Sequence, residues 1–205
     1  KTPIYPGNVP VSVKVHQKMP EDSSASSSIT FGSHTGTHID APAHVMEGGL
    51  SIDKIPLENF VGLCRVFDFS EESGEAITKQ MLKGKLEKIF LSASGGKKGE
   101  RILLKTKNSL WGFKEFYEDY VYLDGDAAEY LAGLDVLLVG IDALSIKKRG
   151  GKDNRPHTAL LSKNIPIVEG LNLSSVAEGE YELFCLPLNF TGIDGASARA
   201  ILIEK

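Results

Sequence analysis

The chain has few cysteines, few histidines and no excess of either charge, and each shortage excludes something. Its 205 residues hold two cysteines, Cys64 and Cys185, far apart and without a Cys-x-x-Cys pair. Each sits in an apolar, strand-like run, where a small buried thiol is common, so no disulfide framework is read here. Lysine and arginine number 23 against 27 aspartates and glutamates, a formal net charge of −4. A nucleic-acid partner needs a concentrated basic face, which this balance argues against. The densest basic runs, Lys97-Lys98 and Lys147-Lys148-Arg149, are short, sit beside glycines and read as exposed loops. No apolar stretch approaches the roughly eighteen residues of a membrane span, and no signal peptide opens the chain, so the expected compartment is cytoplasmic. The chain starts at Lys1 rather than Met, which leaves a short upstream signal open.

No internal repeat and no Pro/Gly-rich linker divides the sequence. A hydrophobic share of 41% and a charged share of 24% are those of a globular chain long enough to bury a sizeable core as one domain over residues 1–205. The serine cluster Ser23–Ser28 reads as an exposed, mobile loop, followed by an extended stretch from Ile29 to His34. Val61–Phe69 and Arg101–Thr106 have the composition of strands. Asp135–Ile141 is a near-continuous apolar run of the kind covered on both faces of a sheet. Further strands are expected at Ile165–Val168, Tyr181–Phe190 and Ala198–Ile203. Ile77–Lys88, with Thr78 as cap, and Asp126–Leu134, ending near Gly133, read as helices. Ser94–Gly99 lacks the spacing of a phosphate-binding loop and reads as a turn. Asp124-Gly-Asp126 reads as a turn and helix cap rather than a calcium loop. Strands outnumber helices, which predicts a single α/β domain with mixed, strand-rich sheets.

Five histidines are present, and three of them fall within eleven residues, together with an aspartate, in His34-Thr-Gly-Thr-His38-Ile-Asp40-Ala-Pro-Ala-His44. These residue types bind borderline divalent metals such as zinc, manganese or iron(II). In an extended segment His38 and Asp40 project to the same side. Gly36 permits a tight turn, and Pro42 stiffens the exit. A closed structural zinc site favours cysteine thiolate, and none is nearby. His16, isolated in VSVKVHQK, reads as an ordinary hydrogen-bonded histidine. The fifth, His157, is followed twelve residues later by Glu169 at the end of the apolar run Ile165-Pro-Ile-Val-Glu169. Either that carboxylate is buried against a neutralising cation, or it sits on the surface at a strand end before Gly170.

The pattern His-x-Gly-Thr-His-x-Asp-x-Pro-x-His resembles the motif of the cyclase family of metal-dependent hydrolases, which includes bacterial kynurenine formamidases and isatin hydrolases. The resemblance extends over essentially the whole chain. Ile4-Tyr5-Pro6-Gly7, Glu47-Gly48-Gly49, Val139-Gly140-Ile141-Asp142, Arg155-Pro156-His157 and Glu169-Gly170-Leu171 are similar to further family segments. It implies a swivelling β/β/α fold, often in homodimers or homotetramers, and a small-molecule substrate with no nucleic acid or membrane partner. It also implies one or two divalent ions, zinc first, with manganese or iron as alternatives. His34 and His38 would bind one ion and Asp40 would bridge to a second. His157 would bind that second ion, and Glu169 would touch one or both. His44 would be the acid/base residue, and Tyr5 a substrate-binding residue where formamidases of the family often carry tryptophan. The implied reaction is hydrolysis of an amide or formamide, open or cyclic.

Two rival readings are compatible with parts of the motif. A non-haem iron oxygenase would use His38, Asp40 and His157 as a facial triad, and would leave His34, His44 and Glu169 without a role. A non-catalytic metal- or ligand-binding relative would keep every motif residue.

Overall fold

The most apolar runs of the sequence lie side by side in the middle of one sheet. The computed structural model describes residues 3–90 and 99–204. Its strands are β1 (Ser12–Gln17), β2 (Ser26–Thr30), β3 (His38–Asp40), β4 (Val61–Asp68), β5 (Ala76–Ile77), β6 (Arg101–Lys105), β7 (Tyr122–Leu123), β8 (Leu138–Ile141), β9 (Ile167–Glu169), β10 (Gly179–Phe184), β11 (Gly195–Ser197) and β12 (Ile201–Glu204). Its helices are α1 (Lys79–Phe90), α2 (Asn108–Trp111), α3 (Gly125–Ala132) and α4 (Arg155–Leu161).

Eight strands form the main sheet in the order β11-β3-β9-β8-β6-β4-β10-β12. The four central strands β9, β8, β6 and β4 run parallel, and antiparallel strands close both sides. Strand alternation splits the core into two layers. Ile102, Leu104, Val139, Ile141 and Ile167 pack with Leu82, Leu86, Ala128, Leu131 and Leu160 of the helices. Val66, Leu103, Leu138, Val168 and Ile39 face the other way, with Phe60, Leu171, Leu183 and Ala196. Every residue of β6 and β8 is buried, as the continuous apolar runs predict. This is the mixed α/β arrangement expected. Cys64 and Cys185 are both free and buried.

Several boundaries differ from the expected ones, each for a local reason. The serine cluster is not wholly a loop. Ser26–Thr30 pairs antiparallel with β1, Val13 opposite Ile29, in an exposed two-stranded ribbon whose backbone ladder tolerates serine. The strand expected from Asp135 begins at Leu138, because Asp135 has φ of +54° and turns the chain into it. Ile77 belongs to β5, paired with β7, so α1 starts at Lys79 behind the Thr78 cap, whose hydroxyl accepts from Met81 N–H at 3.3 Å. Asp124 rather than Asp126 caps α3, accepting from Ala127 N–H at 2.6 Å, and Gly133 closes it. β10 stops at Phe184, and the only later pairing along that run is an isolated bridge between Pro187 and Ala198. β12 correspondingly begins at Ile201 rather than Ala198. The Lys97-Lys98 pair, and the Ser94–Gly99 turn except for Gly99, lie outside the described residues.

Candidate active site and metal centre

The carboxyl ends of parallel strands are where α/β sheets usually carry their sites, and the histidine segment lies there. β3 is only three residues long, and Ile39 turns into the apolar layer beside Val168 and Ala196. His38 and Asp40 therefore share the opposite face, with His38 Nε2 3.4 Å from Asp40 Oδ1. The antiparallel register sets His38 directly across from Glu169 of β9, and His38 Nε2 lies 3.3 Å from Glu169 Oε2. Two glycines make the close approach possible. Gly170, at φ +69°, passes so near the Gly36 carbonyl that a Cβ would sit 2.5 Å from it. A Cβ at Gly195 would meet the Ile39 carbonyl at 2.6 Å and the His34 ring at 3.0 Å.

His34 stands beside β3 with Nδ1 2.7 Å from Asp40 Oδ1. α4, with Pro156 in its first turn, delivers His157, whose Nε2 lies 3.2 Å from Glu169 Oε1 and 3.6 Å from Asp40 Oδ2. The short 3-10 turn Pro42–His44 presents His44, whose ring is tilted against His34 at 4.2 Å between centroids and meets His157 edge-on at 5.5 Å. Tyr5 reaches the same cavity and packs edge-on against Phe116 at 5.0 Å. The structure thus gathers every expected site residue, Tyr5, His34, His38, Asp40, His44, His157 and Glu169, from four separate stretches of chain. Glu169 is buried rather than at the surface.

Asp194 also belongs to the cluster, although no motif points to it. Its Oδ2 lies 2.7 Å from His34 Nε2 and 3.6 Å from His44 Nδ1. Its backbone is fixed by an Ala41 N–H bond to the Asp194 carbonyl at 2.9 Å. The one local sign was an aspartate set between Ile193 and Gly195 just ahead of a strand. Lys147-Lys148-Arg149 lies in a loop, as expected, with Lys148 exposed. Lys147 and Lys148 also line the rim of the cavity.

Burial opposes charge on each of these groups, and opposite charges nearby mostly win. Histidines His34 and His38 hold the Asp40 carboxyl well below the usual carboxylate range, and His157 and His38 lower Glu169 against the charge of Asp40. The two carboxylates push the His38 imidazole up to about 10. Asp40 and Asp194 raise His34, and Glu169 and Asp40 raise His157. At His44 burial wins, and the neighbouring His34 and His157 add to the lowering.

These residues fit a divalent cation. Asp40 and Glu169 are 0% and 3% exposed, and both are surrounded by imidazole rather than by Lys or Arg. Buried carboxylates without a compensating charge are costly. Two buried atoms aimed into the cluster, His38 Nε2 and Asp40 Oδ2, have no hydrogen-bond partner. Candidate ligand atoms lie within 4.8 Å of one another in three groups: His34/His38/Asp40, Asp40/His44/His157 and His34/His44/Asp194. Asp40 is common to two of them. Above the cluster lies a cavity of about 470 Å³, lined among others by Tyr5, His34, His44, His157, Glu169 and Lys147.

The mixed sheet and its His/Asp/Glu cluster define a protein with a site suited to a divalent metal. The family profile described as "Putative cyclase" matches residues 1–148. A kynurenine formamidase of Salinibacter ruber is 36% identical over 203 residues, covering 98% of this chain and 91% of that one. A solved structure described as a potential metal-dependent hydrolase with cyclase activity superposes with a TM-score of 0.81 at 36% identity, covering 98% and 90% of the two chains. Isatin hydrolase A from Ralstonia solanacearum shares the swivelling β/β/α fold, with a TM-score of 0.78 at 24% identity over 99% of this chain and 87% of that one. The chain belongs to the cyclase family. Among the described residues, no helix is long and apolar enough to cross a membrane.

Proposed function

We propose that this protein hydrolyses a small amide, a formamide or cyclic amide of the arylformamide kind, at one or two divalent ions, zinc first among them. His34, His38, Asp40, His157 and Glu169 hold the metal, with Asp40 between the two groups of ligands. The observation that carries this reading is the pair of partnerless buried atoms, His38 Nε2 and Asp40 Oδ2, beneath a cavity large enough for a small substrate. A divalent ion in such a site supplies Lewis acidity, which brings the pKa of water toward neutrality and stabilises charge on a carbonyl oxygen.

His44 handles the proton. It is half-exposed to the cavity, and an imidazole whose pKa burial lowers is free to take a proton from the attacking water and pass it to the leaving nitrogen. Asp194, 3.6 Å from His44 Nδ1, steadies the ring's charged form. The leaving group would otherwise depart as an amide anion. Tyr5, against Phe116, offers an aromatic wall to the substrate's ring.

Hydrolysis of N-formylkynurenine and of isatin, with zinc and with manganese, tests the activity. His44→Ala is expected to lower kcat by about 10²- to 10⁴-fold while elemental analysis finds the bound metal unchanged. His38→Ala is expected to lose metal first. A His44→Ala protein that keeps full activity, or that loses its metal, overturns the role given to His44. Full metal occupancy with no turnover of any formamide, ester or cyclic amide favours the non-catalytic reading. The oxygenase reading is disfavoured by His34 and Glu169, which stand within 3.3 Å of its supposed ligands Asp40 and His38.

A further inference from the structure

The Lys147-Lys148-Arg149 run lies on the loop that leaves β8, and its three cations have different surroundings. Lys148 pairs with Glu75 at 3.0 Å and lies over the Tyr122 ring, and Arg149 pairs with Glu118 and lies over Phe116. Lys147 has no carboxylate within ion-pairing distance among the described residues, and its ammonium donates to the neutral amide oxygen of Asn154. Both Lys147 and Asn154 line the cavity whose floor holds His34, His44, His157 and Glu169.

This placement is built into the site's own scaffold. The Ile146 N–H donates to Glu169 Oε1 at 2.6 Å, so the residue beside Lys147 is tied directly to the cluster. The Tyr120 hydroxyl donates to the Lys147 carbonyl, and Lys147 N–H donates to Ser145 Oγ at 3.4 Å. On the other side, the Asn154 carbonyl accepts from His157 N–H at 3.1 Å, at the head of the helix that delivers that histidine. Gly150 and Gly151 also line the cavity, and Gly150, at φ +67°, lets the loop bend there without a side chain in the opening.

We propose that Lys147, with Asn154, forms an anion subsite that selects substrates carrying a carboxylate in addition to the amide to be cleaved. The inference rests on the amide-hydrolase reading above and specifies its substrate class. The ammonium already has a neutral neighbour that orients it and no acid in direct contact, Asp153 acting on it only at longer range, so an incoming carboxylate pairs with it without displacing one. The Asn154 Nδ2 amide offers a second donor on the same wall. Lys147 acts on binding and takes no part in bond cleavage.

N-formylanthranilate and formanilide contain the same formamide bond and differ in one carboxylate, so the pair isolates the subsite. Lys147→Met is expected to raise KM for N-formylanthranilate about ten- to a hundredfold, the range for loss of a charge-assisted hydrogen bond. KM for formanilide and kcat for both should stay within about twofold on the same principle, with Lys147→Arg recovering part of the loss. Metal content and melting temperature are measured on each variant to separate binding from folding. Equal losses for both substrates, or no change for either, overturn the subsite. Calorimetric binding of anthranilate and aniline to wild type and Lys147→Met gives a readout that needs no turnover. A selective loss of anthranilate affinity supports the subsite even if neither formamide is cleaved, an outcome that would overturn the hydrolase reading alone. Unchanged anthranilate affinity overturns the subsite.

Discussion

Two carboxylates of the main sheet are buried, Asp142 just after β8 and Asp40 within β3, and the protein treats them in opposite ways. Asp142 is 2% exposed and receives five donors, all uncharged. These are Thr106 N–H and Oγ1 at 2.8 Å each, Ser109 N–H at 3.1 Å, Ser109 Oγ at 2.7 Å, and Asn108 Nδ2 at 3.4 Å. They fasten the start of α2 to the end of β8. Asp40 is fully buried too, but its near neighbours are imidazole rings, and its Oδ2 has no hydrogen-bond partner. The difference separates architecture from chemistry. A buried acid whose neighbours meet all its needs holds the chain together, whereas one left short of donors among histidines is suited to a cation.

Substitutions at the two sites should therefore fail differently. The largest effect is expected for Asp40→Asn. It should remove the bound metal, read by elemental analysis, and abolish hydrolysis. An Asp40→Asn protein that keeps its full metal complement would place Asp40 in the same class as Asp142.

Next comes Asp142→Ala, which strands the Thr106 and Ser109 donors in the interior. Urea unfolding should show a loss of about 3 kcal/mol or more, while the folded fraction keeps its metal. Loss of metal without loss of stability would erase the contrast.

The smallest effect is one of pH. Burial outweighs the donors around Asp142 and raises its carboxyl to about 6. Because the folded value lies above the unfolded one, the acid's contribution is complete below about pH 4 and fades as pH rises through about 6, a change of about 3 kcal/mol. Wild type should therefore exceed Asp142→Asn in stability most at acid pH, with the gap narrowing toward pH 7.5. A gap that widens with pH would mean that Asp142 is ionised in the fold.

What could be read from the sequence depended on how locally each feature is determined. His34, His38, Asp40 and His44 were legible because the residue types and their spacing are themselves the signal. β6 and β8 were legible because unbroken apolar runs have few other uses. Glu169 was ambiguous, because its burial follows from the pairing of β9 with β3, which no local pattern encodes. Asp194 was invisible for the same reason, since only the β3–β11 edge and the Ala41 amide bring it to His34. Lys147 looked like one of three solvated cations, and its place beside the cavity follows from the neighbouring Ile146 amide bound to the distant Glu169. The β2 strand was hidden by its serines, because an exposed ribbon makes little demand on side-chain type.

The pairing of β3 with β9 also bears on how the protein reaches this state. Thr37 Oγ1 donates to the Gly170 carbonyl at 2.7 Å across 133 residues of sequence, beside the register that sets His38 against Glu169. Contacts between segments so far apart carry a large loop-closure cost and are slow to form. The ligand set therefore exists only once the early and late parts of the chain have docked, and any ion it holds binds the docked form alone. By mass action such an ion adds about 4 kcal/mol when present at a thousand times its dissociation constant. Such an ion would latch β3 to β9, and amide exchange along β3 would report whether the latch is shut.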